Sequence, residues 1–210
     1  MKVLVYNKGC VREDILAQKL RRDIVNQGHE KSYNHHEADV IVYITCAGLG
    51  DVIIECLEEI ETFLRFKKEG ATLVITGCLT KIPELTEWYK NEPSVHIVKN
   101  PDFVIPILNF IDNDNKRNTT KTKLASRTRL FYDNATHIQF FLCNGCLNNC
   151  SFCKTNYLDE PLTSIPYEIT LKYLQNMIKR GTKSITLSGE NLTLYGIDLY
   201  KKPILHKFIH

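Results

Sequence analysis

With 210 residues, 43% hydrophobic and 24% charged, the chain has the makeup of an ordinary globular protein, which excludes disorder and coiled coil. Its net charge of +3 does not by itself call for nucleic acid, and no apolar stretch nears the roughly 20 residues that span a bilayer. The N-terminal MKVLVYNKG is too short in apolar residues for a secretory signal, so a cytosolic location with reduced cysteines is expected.

The first half alternates strand-like and helix-like segments. Lys2 to Tyr6 is apolar and β-branched, and Val11 to Gln27 carries helical spacing at Ile15, Leu16, Leu20, Ile24 and Val25, with Gly28 as a stop. Val40 to Thr45 (VIVYIT) is a continuous apolar run, the signature of a strand buried on both faces of a parallel sheet. Val52 to Lys68 predicts an amphipathic helix ending at Gly70. Thr72 to Thr76 predicts a second buried strand, Ile82 to Asn91 a short helix and Val95 to Val98 a further strand. This repeating pattern argues for an α/β fold with an open, mostly parallel sheet. Asp112 to Thr136 reads as a linker. Beyond it, His137 to Leu142 predicts a strand, Tyr167 to Lys179 a helix stopped by Gly181, and Ser184 to Leu187 another strand. The expected division is residues 1–112, a linker at 113–136, and a second domain at 137–210.

Eight cysteines in a reducing compartment point to metal ligation rather than disulfides. Cys146, Cys150 and Cys153, in LCNGCLNNCSFCKTNY, follow the spacing Cys-x3-Cys-x2-Cys in a loop after an apolar segment. Three thiolates so placed can hold three irons of a cubane cluster and leave the fourth open to substrate chemistry. The competing reading is a zinc knuckle with Cys143 as fourth ligand, for which the short separation of the two pairs is awkward. Cys10, Cys46 and Cys78 each follow a predicted strand. The carboxyl ends of strands form the ligand crevice of open α/β sheets, so these thiols are expected to converge into a second three-cysteine site. A glycine stands near each (Gly9, Gly48, Gly77). Cys56 and Cys143 are left over and read as core thiols.

On these residues the chain resembles the radical S-adenosylmethionine methylthiotransferases. The Cys-x3-Cys-x2-Cys loop with Phe152 before its last cysteine is similar to the radical S-adenosylmethionine signature. The contexts KGC, ITCAG and VITGCL around Cys10, Cys46 and Cys78 resemble the family's N-terminal domain, and ITLSGENLTLYGIDLY, from Ile185 to Tyr200, resembles the segment after its second barrel strand. The resemblance implies an N-terminal cluster domain followed by the first βα units of a partial TIM-type barrel. It implies two 4Fe-4S clusters, one on each cysteine triad. The cluster on Cys146, Cys150 and Cys153 would bind S-adenosylmethionine and yield a 5′-deoxyadenosyl radical; the other would deliver a methylthio group. Phe152 would shield the first of these, and Gly189, Glu190 and Asn191 would contact the methionine end of S-adenosylmethionine, Glu190 through the ammonium. The implied substrate is a modified adenosine beside the tRNA anticodon or, alternatively, an aspartate of a ribosomal protein. An electron donor protein is implied as a further partner, and no membrane.

The chain departs from the family where Glu13 and Ile44 stand in place of asparagine, where Glu190 stands in place of a commoner glutamine, and at Leu158-Asp159-Glu160, where Arg-Gly is usual. The family's remaining barrel units and RNA-binding β-barrel have no counterpart before His210. The chain is therefore expected to be a fragment, to be completed by a second chain or to have a poorly ordered C-terminal half, and to be unable to complete the radical step alone. Two other functions stand beside methylthio transfer: a non-catalytic iron–sulfur-binding relative, and a zinc-binding nucleic-acid module. The latter would use the basic run Lys116, Arg117, Lys121, Lys123, Arg127 and Arg129, which reads in the first place as a solvated linker.

Overall fold

The computed structural model describes residues 1–48, 50–99, 104–112, 131–133, 136–151, 153 and 161–208. They fall into two compact units, Met1–Lys123 and Leu124–His210.

The first unit is built on a five-stranded sheet, all parallel. Its strands are β1 (Lys2–Asn7), β2 (Glu30–Ser32), β3 (Val40–Thr45), β4 (Thr72–Gly77) and β5 (Val95–Ile97), in the order β2-β1-β3-β4-β5. The all-parallel sheet bears out the expected α/β class. Every residue of β3 is buried, as its unbroken apolar run requires of a central strand covered on both faces. Side chains alternate between the faces. On one face Ile41, Tyr43, Leu73 and Ile75 join Cys56, Ile60 and Phe63 of α2 (Gly50–Phe66) in a single core. Val40, Val42, Ile44 and Val74 lie on the opposite face, and α1 (Val11–Asn26) buries Leu16, Leu20 and Ile24.

Three features differ from the sequence reading. Strand β2 is the polar tripeptide EKS. It carries no apolar alternation and exists because an edge position on β1 needs only backbone pairing. The helix expected over Ile82 to Asn91 is a 3₁₀ turn, Cys78–Lys81, followed by the five-residue α3 (Pro83–Glu87). The Thr86 hydroxyl bonds back to the Pro83 carbonyl at 3.0 Å, a local competitor of helix propagation. Helix α4 (Val104–Ile111) was not anticipated; it carries Pro106 within its first turn, where proline is tolerated.

In the second unit β7 (His137–Asn144) pairs in parallel with β9 (Ser184–Gly189), and α5 (Tyr167–Lys179) lies between them in sequence. Together they form one β–α–β crossover. Two short strands, β6 (Phe131–Asp133) and β8 (Thr163–Ser164), pair antiparallel to β7. Strand β6 falls within the stretch read as linker. The core gathers Ile138, Phe140 and Leu142 with Leu174, Met177, Tyr195 and Ile204. Tyr195 is fully buried, and its hydroxyl donates to the Ile165 carbonyl at 2.7 Å.

Candidate metal centres

The strand order 2-1-3-4-5 reverses direction between β1 and β3, and that switch point is where open α/β sheets form a ligand crevice at their carboxyl ends. Cys10 follows β1, Cys46 follows β3 and Cys78 follows β4, so the three cysteines leave three consecutive strands of the sheet at the same end. Cys10 is exposed and stands at the residue before α1, while Cys46 and Cys78 are half-buried. The Cys78 thiol is pushed up to about 12. Burial is the largest cause, followed by the negative charges of Glu13, Cys10 and Cys46. Cys78 therefore feels both other thiols, and an iron cation in their midst would reverse that repulsion.

Backbone and side-chain contacts pin the three loops to one another. The fully buried Thr45 donates its hydroxyl to the Thr76 carbonyl at 2.6 Å and accepts the Leu79 N–H at 3.2 Å. One side chain beside Cys46 thus holds both flanks of Cys78. The Lys8 N–H reaches across to the Ile44 carbonyl at 2.9 Å. Gly77 adopts φ +91°, and a Cβ there would meet backbone atoms of Thr45. Gly48 donates its N–H to the Cys46 sulfur at 3.4 Å. Thr45 and the 4%-exposed Glu13 are site residues that sequence reasoning passed over; Glu13 registered only as a departure from a family pattern. Neither announces itself in the sequence, because their burial is a property of the folded chain.

Cys56 and Cys143 both behave as core thiols. Cys56 is fully buried and donates to the Cys46 carbonyl at 3.6 Å. Cys143 donates to the Asn191 carbonyl at 3.5 Å, and burial chiefly pushes its thiol up to about 11.

In the second unit the parallel pairing of β7 and β9 puts the cysteine loop and Gly189–Asn191 at the same sheet end. Cys146, Cys150 and Cys153 are half-buried, and Cys153 N–H bonds the Cys150 carbonyl at 3.1 Å. The Cys146 sulfur accepts from the Asn148 N–H at 3.4 Å and from Asn191 Nδ2 at 3.3 Å. Glu190 accepts the Gly145 N–H through Oε2, and its own N–H points to the Cys143 carbonyl at 3.4 Å. Gly189 lies so close to Cys143 that a Cβ would sit 2.8 Å from that sulfur. Phe152, Leu158-Asp159-Glu160 and the basic run from Lys116 to Arg129 lie outside the described residues.

Among the described residues, no three His, Cys, Asp or Glu side chains are gathered as ligands of a single metal ion. A cubane cluster takes each thiolate on a different iron rather than all three on one ion. Two triads of half-buried or exposed thiols at sheet ends fit that donor set.

A family model described as "Uncharacterized protein family UPF0004" matches residues 2–99. The chain is 27% identical to the ribosomal protein uS12 methylthiotransferase RimO of Carboxydothermus hydrogenoformans, over 95% of this chain and 47% of that protein. It is 29% identical to the protein of the same name from Thermotoga maritima, over 98% of this chain and 48% of the relative. A Clostridium botulinum protein of that name is 28% identical over the whole of this chain and 48% of its own. The chain spans about half the length of the curated relatives it matches. No helix among the described residues is long and apolar enough to cross a membrane.

Proposed function

We propose, from the premise that this chain belongs to the radical S-adenosylmethionine methylthiotransferase family, that it takes part in methylthio transfer to a ribosomal protein. The carrying observation is the placement of each cysteine triad at the carboxyl end of parallel strands, as the two-cluster reading requires. Cys10, Cys46 and Cys78 hold one 4Fe-4S cluster, and Cys146, Cys150 and Cys153 hold the other. When bound, the clusters and S-adenosylmethionine supply the hydrogen abstraction and the sulfur delivery, while the protein places them. Thr45 and Gly77 keep the Cys46 and Cys78 loops in register, and Glu190 clamps the backbone ahead of Cys146. Gly189 and Glu190, with Phe152, are the candidate contacts of S-adenosylmethionine.

The relatives' names favour a ribosomal protein, uS12, over the tRNA adenosine that stood first in the sequence reading. An aspartate is the residue the family resemblance implies. A cytoplasmic setting and an electron donor protein complete the proposal.

The test is anaerobic reconstitution followed by mass spectrometry. Iron should approach about eight per chain, and fall to about four when either triad is replaced by alanine. With S-adenosylmethionine and a reductant, any methylthio group formed should appear on ribosomal protein uS12 and not on tRNA. Zinc without colour, or modification of tRNA alone, would overturn the proposal.

A further inference from the structure

We propose that Asn191 tunes the reduction potential of the cluster on Cys146, Cys150 and Cys153, by donating a side-chain N–H to the Cys146 sulfur. This rests on the reading of that triad as cluster ligands. The resemblance directs Asn191 toward the methionine end of S-adenosylmethionine, whereas here its carboxamide is turned onto sulfur.

The geometry fixes which end of the carboxamide faces Cys146. Asn191 Oδ1 accepts the Thr193 N–H at 3.2 Å and the Thr193 hydroxyl at 2.6 Å, so the acceptor end of the amide is taken. Only the NH2 group remains for the opposite side, and it lies 3.3 Å from Cys146 Sγ. The Asn191 main chain is held as well, because its carbonyl accepts the Cys143 thiol at 3.5 Å. The side chain is therefore braced at its oxygen and at its backbone, with its nitrogen aimed at a ligand.

An N–H directed at a ligating sulfur draws electron density from it. The reduced cluster carries one more negative charge than the oxidised one and gains more from such a donor, so the bond raises the potential. Asn191 supplements the Asn148 N–H on the same sulfur, and it alone of the two can be altered by mutation without touching the backbone.

Asn191→Asp removes the donor but adds a charge beside the sulfur. Aspartate keeps an oxygen for Thr193 and caps a helical turn as well as asparagine does, but it offers no N–H to sulfur. Asn191→Leu removes both functions at similar volume. The full 210-residue chain carrying Cys10→Ala, Cys46→Ala and Cys78→Ala would be reconstituted anaerobically, so that one cluster of about four irons is observed. Its midpoint potential would be read by titration followed with electron paramagnetic resonance. Both Asn191 variants are expected to shift the midpoint negative, the aspartate further because its charge faces the sulfur, with iron content unchanged.

An unshifted midpoint in an iron-replete Asn191→Leu chain, which loses the donor without gaining a charge, would overturn the inference and leave the cluster reading standing. Loss of iron from both variants would overturn it too, by making Asn191 a support of the loop. A parent chain that takes up no cluster would remove both this inference and the proposed function.

Discussion

Replacing Gly77 by alanine tests whether the Cys78 loop depends on its backbone. Gly77 holds φ 91° and ψ −163°, a region open essentially to glycine alone, and occupying it with a side chain costs about 1–3 kcal/mol. The new Cβ would also meet the Thr45 carbonyl oxygen and stand 2.8 Å from the Thr45 nitrogen. Both are backbone atoms of the neighbouring strand, which pairs Thr45 with Gly77, so they yield only by opening the end of the β3–β4 ladder. One weakened ladder bond adds roughly 1 kcal/mol, giving about 2–4 kcal/mol in all. Urea unfolding followed by circular dichroism measures that loss. Because Cys78 is the next residue, reconstituted iron should fall from about eight toward about four. Gly48→Ala is the control, since a Cβ there meets only the Cys46 sulfur, at an ordinary 3.6 Å. A Gly77→Ala chain with the parent's unfolding midpoint and full iron would refute the reasoning.

The remaining expectations are briefer. Tyr43→Phe deletes the hydroxyl that a fully buried ring donates to Glu59; Glu59 keeps Lys8 and Tyr6, each at 3.2 Å, so the loss should be about 1–2 kcal/mol by urea unfolding. Gly189→Ala would press a methyl onto Cys143 Sγ and the Cys143 carbonyl and cost about 1–3 kcal/mol. Iron on the second triad should then leave faster to a chelator, with the first triad unaffected. His35 is held below its ordinary value of 6.5, by partial burial first and by neighbouring His36 second. A histidine lowered in the folded state binds its proton more readily unfolded, so its contribution is present above pH 6.5 and lost as pH falls through the lowered value. Stability should therefore decline on acidification below 6.5, and His35→Gln should flatten that part of the profile in unfolding experiments.

What could be read in advance follows from how strongly each element announces itself. VIVYIT and TLVIT are apolar without interruption, which only a doubly covered central strand explains, and both stand where expected. The cysteines were legible as a set because strand ends in an α/β sheet share one edge, so positions 10, 46 and 78 needed no fold recognition to be grouped. Glu30–Ser32 was illegible because an edge strand of three polar residues is specified by backbone pairing alone. Thr45 was illegible for another reason. Its role as a stitch between two loops depends on the β3–β4 register, which puts it opposite Gly77, and register is a property of the assembled sheet. Asn191 could be placed near the cysteine loop from sequence, but the direction of its carboxamide is set by Thr193 and could not be.

Six cysteines proposed as ligands and two left over raise the question of what separates them. Cys56 and Cys143 are the two cysteines with almost no solvent-exposed surface, and burial raises both thiols, as it also raises that of the proposed ligand Cys78, so a raised thiol does not by itself set them apart. A neutral thiol retains its hydrogen, and each spends it on a backbone carbonyl at a candidate centre: Cys56 on Cys46, and Cys143 on Asn191. Ligation demands the opposite, a deprotonated sulfur with room for iron. What divides the two roles is lack of solvent access together with a thiol hydrogen bond to a backbone carbonyl, which Cys56 and Cys143 combine. Serine in place of Cys56 keeps a donor for the Cys46 carbonyl, while alanine does not. If the bond positions the ligand loop, Cys56→Ser should retain iron on the first triad against a chelator better than Cys56→Ala. Equal iron release from the two variants would reduce Cys56 to a filler of space.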